Sequence, residues 1–415
     1  MKRALILITF MVFTSTWAQS TDDKINVLTE EIEKLKAGKG LFKEVKENGK
    51  YGFGPAASKV YEVNQGVSIG GYGEMVYQNY STENQSGSSS KKIDRIDALR
   101  AILYFGYKFN DNIIFNSEIE FEHGNEVGVE FAYLDFLYKD YLNARAGLLL
   151  VPMGHVNLLH EPTVFLGANR PVTEQKLLPS TWRENGLGLF GSFMDLDYTF
   201  YLVNSFDSTG QSSSANGFNA SDGLRGGRQK GSKAAAENFA LTGRLDYSGI
   251  NGLTTGFSGF WGSTAQGSSF NAETLVTDFH LEYKFAGFQT RLLAIYIDIK
   301  DANSLNQSSS AVANSPSLAI GEQLYGGYLE LGYDVLRLFK SKQEVIVYSR
   351  FEHMNTQAKL GTYGQYNGAN KKNFLYFGAN YKPILNLVIK ADYMIETTES
   401  KSGVNQWNLS TGYIF

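Results

Sequence analysis

Apolar and polar residues alternate with a period of two along most of the chain from Gly66 onward. Leu275–Phe285 shows this most clearly, because its odd positions are mostly apolar and most of its even positions are charged or polar. The odd set is Leu275, Thr277, Phe279, Leu281, Tyr283 and Phe285, and the even set is Val276, Asp278, His280, Glu282 and Lys284. Since successive side chains of a β-strand point to opposite faces, the segment predicts a strand with one apolar and one charged face.

The same two-faced pattern recurs along the chain. In Ile113–His123, apolar side chains alternate with glutamates, and Leu387–Glu396 repeats the arrangement with lysine, aspartate and glutamate. A soluble barrel of this size would need an apolar interior, whereas here polar residues occupy the face opposite the apolar one. An apolar exterior around a water-filled lumen is the pattern of a transmembrane β-barrel.

Sixteen such segments are predicted, and the lengths of their connections alternate. The predicted strands are 66–80, 93–109, 113–123, 126–138, 142–151, 182–193, 197–205, 237–248, 253–263, 273–286, 288–300, 322–335, 344–356, 372–382, 385–398 and 403–415. Links after even-numbered strands are short, and those after odd-numbered strands are mostly longer, notably 152–181, 206–236 and 301–321. Short periplasmic turns and long outer loops are the bacterial barrel layout. The predicted fold is all-β, a 16-stranded antiparallel transmembrane β-barrel over residues 66–415 in the cell outer membrane.

The residues before the barrel predict export and a short helix. A basic start, an apolar run and small residues at the −3 and −1 positions predict a signal peptide over residues 1–18. Residues 19–38 predict a periplasmic helix with the 3-4-3 spacing of a coiled coil, carried by Ile25, Leu28, Ile32 and Leu35. The alternative is an amphipathic tether without a fixed partner. Residues 39–65, rich in Gly, Lys and Glu, predict a linker.

The composition agrees with an exported barrel. Aromatic residues make up 14% of the chain, with 25 Tyr and 28 Phe, and Pro is limited to 7, which suits strands that need every backbone N–H. Cys is absent, so stability must come from barrel closure and lipid burial rather than disulfides. The net charge of −4 argues against a nucleic-acid partner. Alternating aromatic residues up to Phe415 match the general ending of bacterial barrels.

Several motifs resemble the phosphate-selective porin O/P family of Gram-negative outer membranes. They are Gly70–Glu74 (GGYGE), Gly147–Met153 (GLLLVPM), His160–Pro162 (HEP), Arg170–Pro171, Thr181–Glu184 (TWRE), Gly226–Gly231 (GGRQKG) and Thr242–Tyr247 (TGRLDY). The similarity runs over residues 66–415 and is most specific at 145–190. The resemblance implies a 16-stranded passive channel that forms a homotrimer, with a constriction loop folded into the pore.

The charges on the inward faces bear on the choice of solute. The predicted lumen-lining charges are Glu118, Glu120, Glu122, Arg145, Arg244, Asp278, Glu282, Arg291, Arg350 and Lys390. Over all predicted inner faces acidic residues outnumber basic ones, and an anion filter needs cations that dominate its narrow zone. The chain is therefore expected to pass small hydrophilic solutes and ions, with anions or phosphate among the candidates but with weak preference for phosphate.

Two loops supply candidate functional residues. Loop 152–181 and the start of the next strand contribute the pore-constriction candidates His155, His160, Arg170, Lys176 and Arg183. An inward constriction is expected because long ordered loops tend to be functional, and the alternative is an external lid held by its own salt bridges. The basic loop holds Arg225, Arg228, Lys230 and Lys233. It fits either a funnel for anions or a solvated loop that binds lipopolysaccharide phosphates or a neighbouring subunit.

The sequence carries no recognisable enzyme, metal or cofactor motif. The five His are scattered, without the paired spacing of a metal site. His280 between Asp278 and Glu282 resembles a catalytic base, but such a lumen-facing trio more often forms a hydrogen-bonded patch of the wall. The predicted function is a passive outer-membrane porin. A plugged structural or adhesin-like barrel is the first alternative, and a barrel enzyme ranks behind it. Expected partners are outer-membrane lipid, lipopolysaccharide, small solutes and further copies of the chain.

Overall fold

The computed structural model describes Thr29 and residues 49–415, and the latter form a closed β-barrel. Its strands are β1 Gly66–Tyr80, β2 Arg95–Lys108, β3 Ile113–Glu122, β4 Glu126–Lys139, β5 Leu142–Leu150, β6 Arg183–Phe193, β7 Leu196–Asn204, β8 Phe239–Ile250, β9 Leu253–Ser263, β10 Glu273–Phe285, β11 Phe288–Ile299, β12 Gln323–Asp334, β13 Glu344–Lys359, β14 Lys371–Ile384, β15 Leu387–Thr398 and β16 Gln406–Ile414. Consecutive strands pair antiparallel, and β16 closes onto β1 with Ile414 opposite Tyr72. The predicted fold class is confirmed.

The helices of the described residues are short and lie between strands or, in one case, before the first strand. Three are α-helical, Val172–Lys176, Ala302–Ser308 and Ser310–Asn314, and five are 3-10 helices, Ala57–Tyr61, Arg225–Gly227, Pro316–Leu318, Val335–Phe339 and Gly368–Asn370. None of them has the length and apolarity needed to cross a membrane. The predicted signal peptide, the predicted helix 19–38 apart from Thr29, and residues 39–48 of the predicted linker lie outside the described residues.

The outer surface of the barrel is apolar at mid-height. Leu329 of β12 lies between Leu292 of β11 and Phe351 of β13, and all three side chains point outward. Aromatic residues cluster at the short-turn end, where Phe288 packs against Tyr333 with ring centroids 4.6 Å apart. An apolar band with aromatic residues at its edge suits a barrel whose outer face contacts lipid.

The interior of the barrel is packed. Inward aromatic side chains from several strands, among them Tyr104, Phe131 and Tyr201, are buried together with inward charges such as Arg350 and Lys390. The sequence predicted a water-filled lumen here. The difference arises because three connecting segments, 49–65, 151–182 and 205–238, enter the barrel and cover these side chains, and alternation within strands carries no information about how deeply a loop inserts.

Residues 49–65 differ from the linker predicted for them. Phe53 stacks on Tyr133 of β4, and the 3-10 helix Ala57–Tyr61 is buried against the inner wall. The Tyr61 hydroxyl donates to Asp135 Oδ2 at 2.7 Å, and Asn116 Nδ2 donates to the Ala57 carbonyl at 3.0 Å. The Gly, Lys and Glu content of the stretch suggested a solvated chain, but its few aromatic and aliphatic side chains cover apolar surface at the short-turn end.

Candidate functional site

Loop 151–182 crosses the interior because charged side chains of the wall bind its backbone on several sides. Carboxylates accept its amides at Gly154 (Asp278, 3.0 Å), Ala168 (Asp392, 2.6 Å) and Thr173 (Glu352, 3.0 Å). Cations donate to its carbonyls at Val164 (Arg291, 2.6 Å), Phe165 (Lys390, 2.7 Å) and Gly167 (Lys390, 2.9 Å). The loop therefore lies inside the barrel rather than outside it as a lid.

This anchoring corrects the predicted role of several lumen-lining charges. Asp278, Arg291, Arg350 and Lys390 are buried, so they hold the loop or each other instead of facing a wide aqueous lumen. A buried charged side chain needs hydrogen-bonding partners, and so do the amides and carbonyls of an irregular buried backbone. The wall charges and the loop backbone supply these partners to each other. Two further charges of the wall are paired: Arg145 with Asp135 at 2.7 Å, and Arg244 with Asp246 at 2.6 Å.

The side chain of Glu174 connects the helix Val172–Lys176 of the loop to the backbone at Val156 and to the barrel wall. Its Oε2 accepts the Val156 amide at 2.7 Å, and its Oε1 accepts the Tyr328 hydroxyl of β12 at 2.7 Å. Burial raises the pKa of Glu174 to about 7, against the lowering effect of these two hydrogen bonds and of Arg291. The buried position therefore favours the protonated acid.

We expect the loop to open more often as the pH rises. Because the folded-state pKa of Glu174 exceeds its ordinary value, its contribution to loop stability is complete below about pH 4.5 and declines as the pH rises through about 7. Through Glu174 alone, the equilibrium constant for opening of the loop should be about tenfold larger at pH 8 than at pH 6. Hydrogen exchange of amides 152–181, corrected for the intrinsic rate, measures this. Glu174→Gln should flatten the profile, and an unchanged profile in that variant would contradict the assignment.

The structure brings three of the five predicted constriction residues together and places the other two separately. His160, Arg170 and Arg183 lie together, since Arg170 Nη2 donates to the His160 carbonyl at 3.2 Å and Arg183 pairs with Glu130 at 3.3 Å. Lys176 pairs instead with Asp222 of the basic loop. His155 lies apart, with its Nε2 at 3.0 Å from the Leu292 carbonyl, and burial lowers its pKa to about 3, which keeps the ring neutral.

The basic loop also divides. Arg228 is buried and its Nη1 donates to the carbonyls of residues 179–181, while Arg225 donates to the Ser180 carbonyl. Burial, followed by the neighbouring arginines, lowers the pKa of Arg228 to about 9 and also lowers that of Arg225. Lys230 and Lys233 are exposed. Half of the predicted basic loop is thus part of the interior, packed on loop 151–182.

A cavity of about 210 Å³ opens among these cations toward the long-loop end of the barrel, and we call it the vestibule. Its lining residues are Glu74, Leu99, Arg100, Glu122, His123, Asn169, Arg170, Gln175, Ser180 and Arg225. Arg100 was missing from the predicted site although its inward position follows from the alternation of β2. Asn169 and Gln175 carried no sequence signal, because only the folded loop brings them to the cavity.

The arginines of the vestibule are not fully satisfied by their partners. Arg100 has carboxylate oxygens of Glu74, Glu120 and Glu122 at 3.5–3.9 Å, too far for good hydrogen bonds. Its Nε and Nη1 are buried without a hydrogen bond, as are the Nε atoms of Arg170 and Arg183. The wall therefore places positive charge close to the vestibule, next to a set of carboxylates.

Two further cavities lie at the short-turn end. One of about 820 Å³ is lined by the segment 49–53 and by wall residues such as Arg244 and Glu282, and one of about 110 Å³ lies near Lys284 and Lys382. Neither shares a lining residue with the vestibule. Between the two ends lies a layer of packed side chains that includes Tyr104 and Phe131.

His280 has one of its two predicted partners, Asp278, and Asp246 takes the place of the other, Glu282. His280 Nδ1 lies 2.7 Å from Asp278 and its Nε2 lies 2.6 Å from Asp246, while Glu282 pairs with Arg291. Asp246 of β8 reaches across β9 because both it and His280 are opposite Gly256, which has no side chain to intervene. Both ring nitrogens of His280 face carboxylates, so Asp246, Asp278 and His280 form a hydrogen-bonded cluster in the barrel wall.

Comparisons with known proteins give one close sequence relative and several similar folds. No protein-family model matches the chain. An uncharacterized protein of Aquifex aeolicus is 36% identical over 375 residues, which cover 88% of this chain and 83% of that protein.

The similar solved structures are outer-membrane barrels. They include the loop L8 deletion mutant of OmpT, an outer membrane protein of Vibrio cholerae (11% identity, 85% and 100% of the two chains, TM-score 0.52), the anion-selective porin of Comamonas acidovorans (11%, 84% and 99%, 0.52) and OmpF of Salmonella typhi (10%, 85% and 98%, 0.52). With its closed hydrogen bonding and apolar exterior, the barrel resides in the outer membrane. The chain belongs to one family with the Aquifex aeolicus protein, and its fold is that of the outer-membrane porins.

Proposed function

We propose that this protein is a porin-type channel that admits small hydrophilic anions through the vestibule. The observation that carries the proposal is the convergence of Arg100, Arg170 and Arg225 on one cavity, with Arg183 and Arg228 directly behind them. Cations gathered at a narrow point set the local potential even where the barrel as a whole carries more acidic than basic groups. We assign the protein no catalytic activity.

The hydrogen bonding of the arginines around the vestibule supports attraction of anions without tight binding of phosphate. A compact oxyanion needs several donors that replace its water, and here the Nη1 groups of Arg225 and Arg228 already donate to carbonyls of residues 175–181. The free N–H groups of Arg100, Arg170 and Arg183 are buried rather than directed into open space. We therefore retain the weak preference for phosphate, and we attribute the resemblance to phosphate-selective porins to shared architecture.

The packed layer between the two ends favours a second candidate, a barrel closed by its own segments. For a channel, the same layer requires a narrow path or a displacement of loop 151–182 or segment 49–65. Purified protein in planar bilayers distinguishes the two, since a channel gives stepwise currents and a closed barrel gives none.

We expect Arg225→Gln to weaken the anion preference of single channels. One unit charge about 8 Å from an ion is worth about 0.5 kcal/mol in water and about 0.2 kcal/mol after screening by physiological salt. Because the effect has opposite signs for an anion and a cation, the anion-to-cation permeability ratio should fall about twofold. Lys233→Gln is the matched control, because it removes the same charge from an exposed position of the same loop. Equal shifts of the reversal potential in both variants would mean that the vestibule does not select ions.

We also propose a homotrimer, which the resemblance to porin O/P proteins implies, in contact with lipopolysaccharide. Exposed lysines at the long-loop end, such as Lys91, Lys92 and Lys401, are suited to lipid phosphates. Light scattering of the detergent-solubilised protein should give the mass of three chains, and the mass of one chain would contradict the trimer.

A further inference from the structure

Three potential metal ligands meet at the inner wall, next to the vestibule but deeper in the barrel. Glu118 of β3, Glu130 of β4 and His160 of loop 151–182 are fully buried, and one ligand atom from each lies within 4.8 Å of the others. His160 Nε2 is 3.2 Å from Glu118 Oε2 and 3.4 Å from Glu130 Oε2. Ligand atoms around a tetrahedral ion at 2.0–2.2 Å are about 3.3–3.6 Å apart, so the two nitrogen–oxygen distances are close to those around such an ion.

A β-bulge in β4 directs the side chain of Glu130 toward the other two potential ligands. The register between β3 and β4 shifts after Glu118, so that Glu130 and the next residue, Phe131, are both buried on the inner side of the wall. A bulge redirects a side chain that regular alternation would place elsewhere. The Oε2 of Glu130 that it brings toward His160 is buried and makes no hydrogen bond. This buried carboxylate oxygen without a hydrogen bond is a separate indication that a cation binds here.

The other nitrogen of His160 is oriented as in metal sites. His160 Nδ1 lies 3.0 Å from the Asn157 carbonyl, to which it can only donate. In a neutral ring, the Nε2 lone pair is then directed at two carboxylates, an arrangement that a cation between them would satisfy. A ligating histidine commonly donates its second N–H to a carbonyl in this way.

We propose that Glu118, Glu130 and His160 bind a divalent cation of the Zn²⁺ class, which fastens loop 151–182 to the barrel wall. One histidine nitrogen with two carboxylate oxygens suits Zn²⁺, and a further position of the ion remains for water. The site joins strands β3 and β4 to the loop that forms the floor of the vestibule. It stands independently of ion conduction.

Metal content after refolding tests the site. The barrel is refolded into detergent with Zn²⁺, desalted, and analysed for zinc by mass spectrometry, with heat-modifiable migration on gels as the check of folding. We expect about one zinc per wild-type chain and at least a hundredfold weaker binding in His160→Asn. Glu118→Gln, which preserves size, should also lose the metal while remaining folded.

His353→Asn is the matched control and should retain zinc, because His353 lies on β13 with Asn373 as its partner. A wild-type barrel without zinc, or equal zinc in wild type and His160→Asn, would overturn the proposal. In the first case the triad would be an ion pair of protonated His160, and in the second the zinc would be bound at the surface.

Discussion

Replacing Arg350 by alanine is expected to destabilise the barrel by about 3–5 kcal/mol, since removal of one partner leaves buried charge uncompensated. Arg350 is fully buried, with its Nη1 3.1 Å from Glu330 and its Nε 2.9 Å from Glu352. Its guanidinium also stacks on the Tyr376 ring at 4.2 Å. Without the arginine, two carboxylates remain in the packed interior.

The same change should loosen the inserted loop. Glu352 accepts hydrogen bonds from both the amide and the hydroxyl of Thr173 in loop 151–182. Without Arg350, repulsion between the carboxylates of Glu330 and Glu352 should displace Glu352 and the loop bound to it. Urea unfolding in lipid vesicles measures the loss of stability. Lys359→Ala, which breaks an exposed ion pair with Glu322 at the end of the same strand, should change it by less than about 0.5 kcal/mol. Similar losses in the two variants would contradict the buried network.

Leu329→Arg should prevent assembly of the barrel in the membrane. Leu329 points outward at mid-height between two other apolar side chains, Leu292 and Phe351. An arginine at the bilayer midplane of a barrel costs about 2–4 kcal/mol, and the cost falls to about 0–1 kcal/mol near the interface.

The matched control for that change lies beyond the end of the same strand. Leu338 in the turn Val335–Phe339 is 69% exposed, and Leu338→Arg should assemble normally. Folded protein in the outer-membrane fraction, judged by heat-modifiable migration, gives the result. Equal assembly of both variants would mean that the outward face at Leu329 does not contact lipid.

The barrel itself was predictable from sequence because period two is a property of single strands. Every predicted strand end lies within three residues of the observed one, and Leu275–Phe285 faces the way its alternation indicates. Each strand has lipid on its outer face and polar contacts on its inner face, so each strand shows the same alternation of apolar and polar residues. An error in one predicted strand therefore does not shift the prediction of the next. The position of loop 152–181 followed from its length and its place after the fifth strand.

The interior was not predictable, because its contacts join distant parts of the chain. Asp246 meets His280 only because the register of three strands sets both opposite Gly256. Glu130 approaches His160 through a bulge that leaves no mark in the hydrophobic pattern. The buried role of Phe53 and Tyr61 was hidden within a segment whose overall composition is that of a linker. In each case the deciding contact is a tertiary one.

The reversal potential of single channels across a KCl gradient tests the central claim most directly. Wild-type protein in planar bilayers should give stepwise currents whose reversal potential has the sign of anion preference, because Arg100, Arg170 and Arg225 converge on the vestibule. A reversal potential of the opposite sign would show that the more numerous carboxylates control permeation. Complete absence of current steps from folded protein would show that the barrel is closed by its own segments.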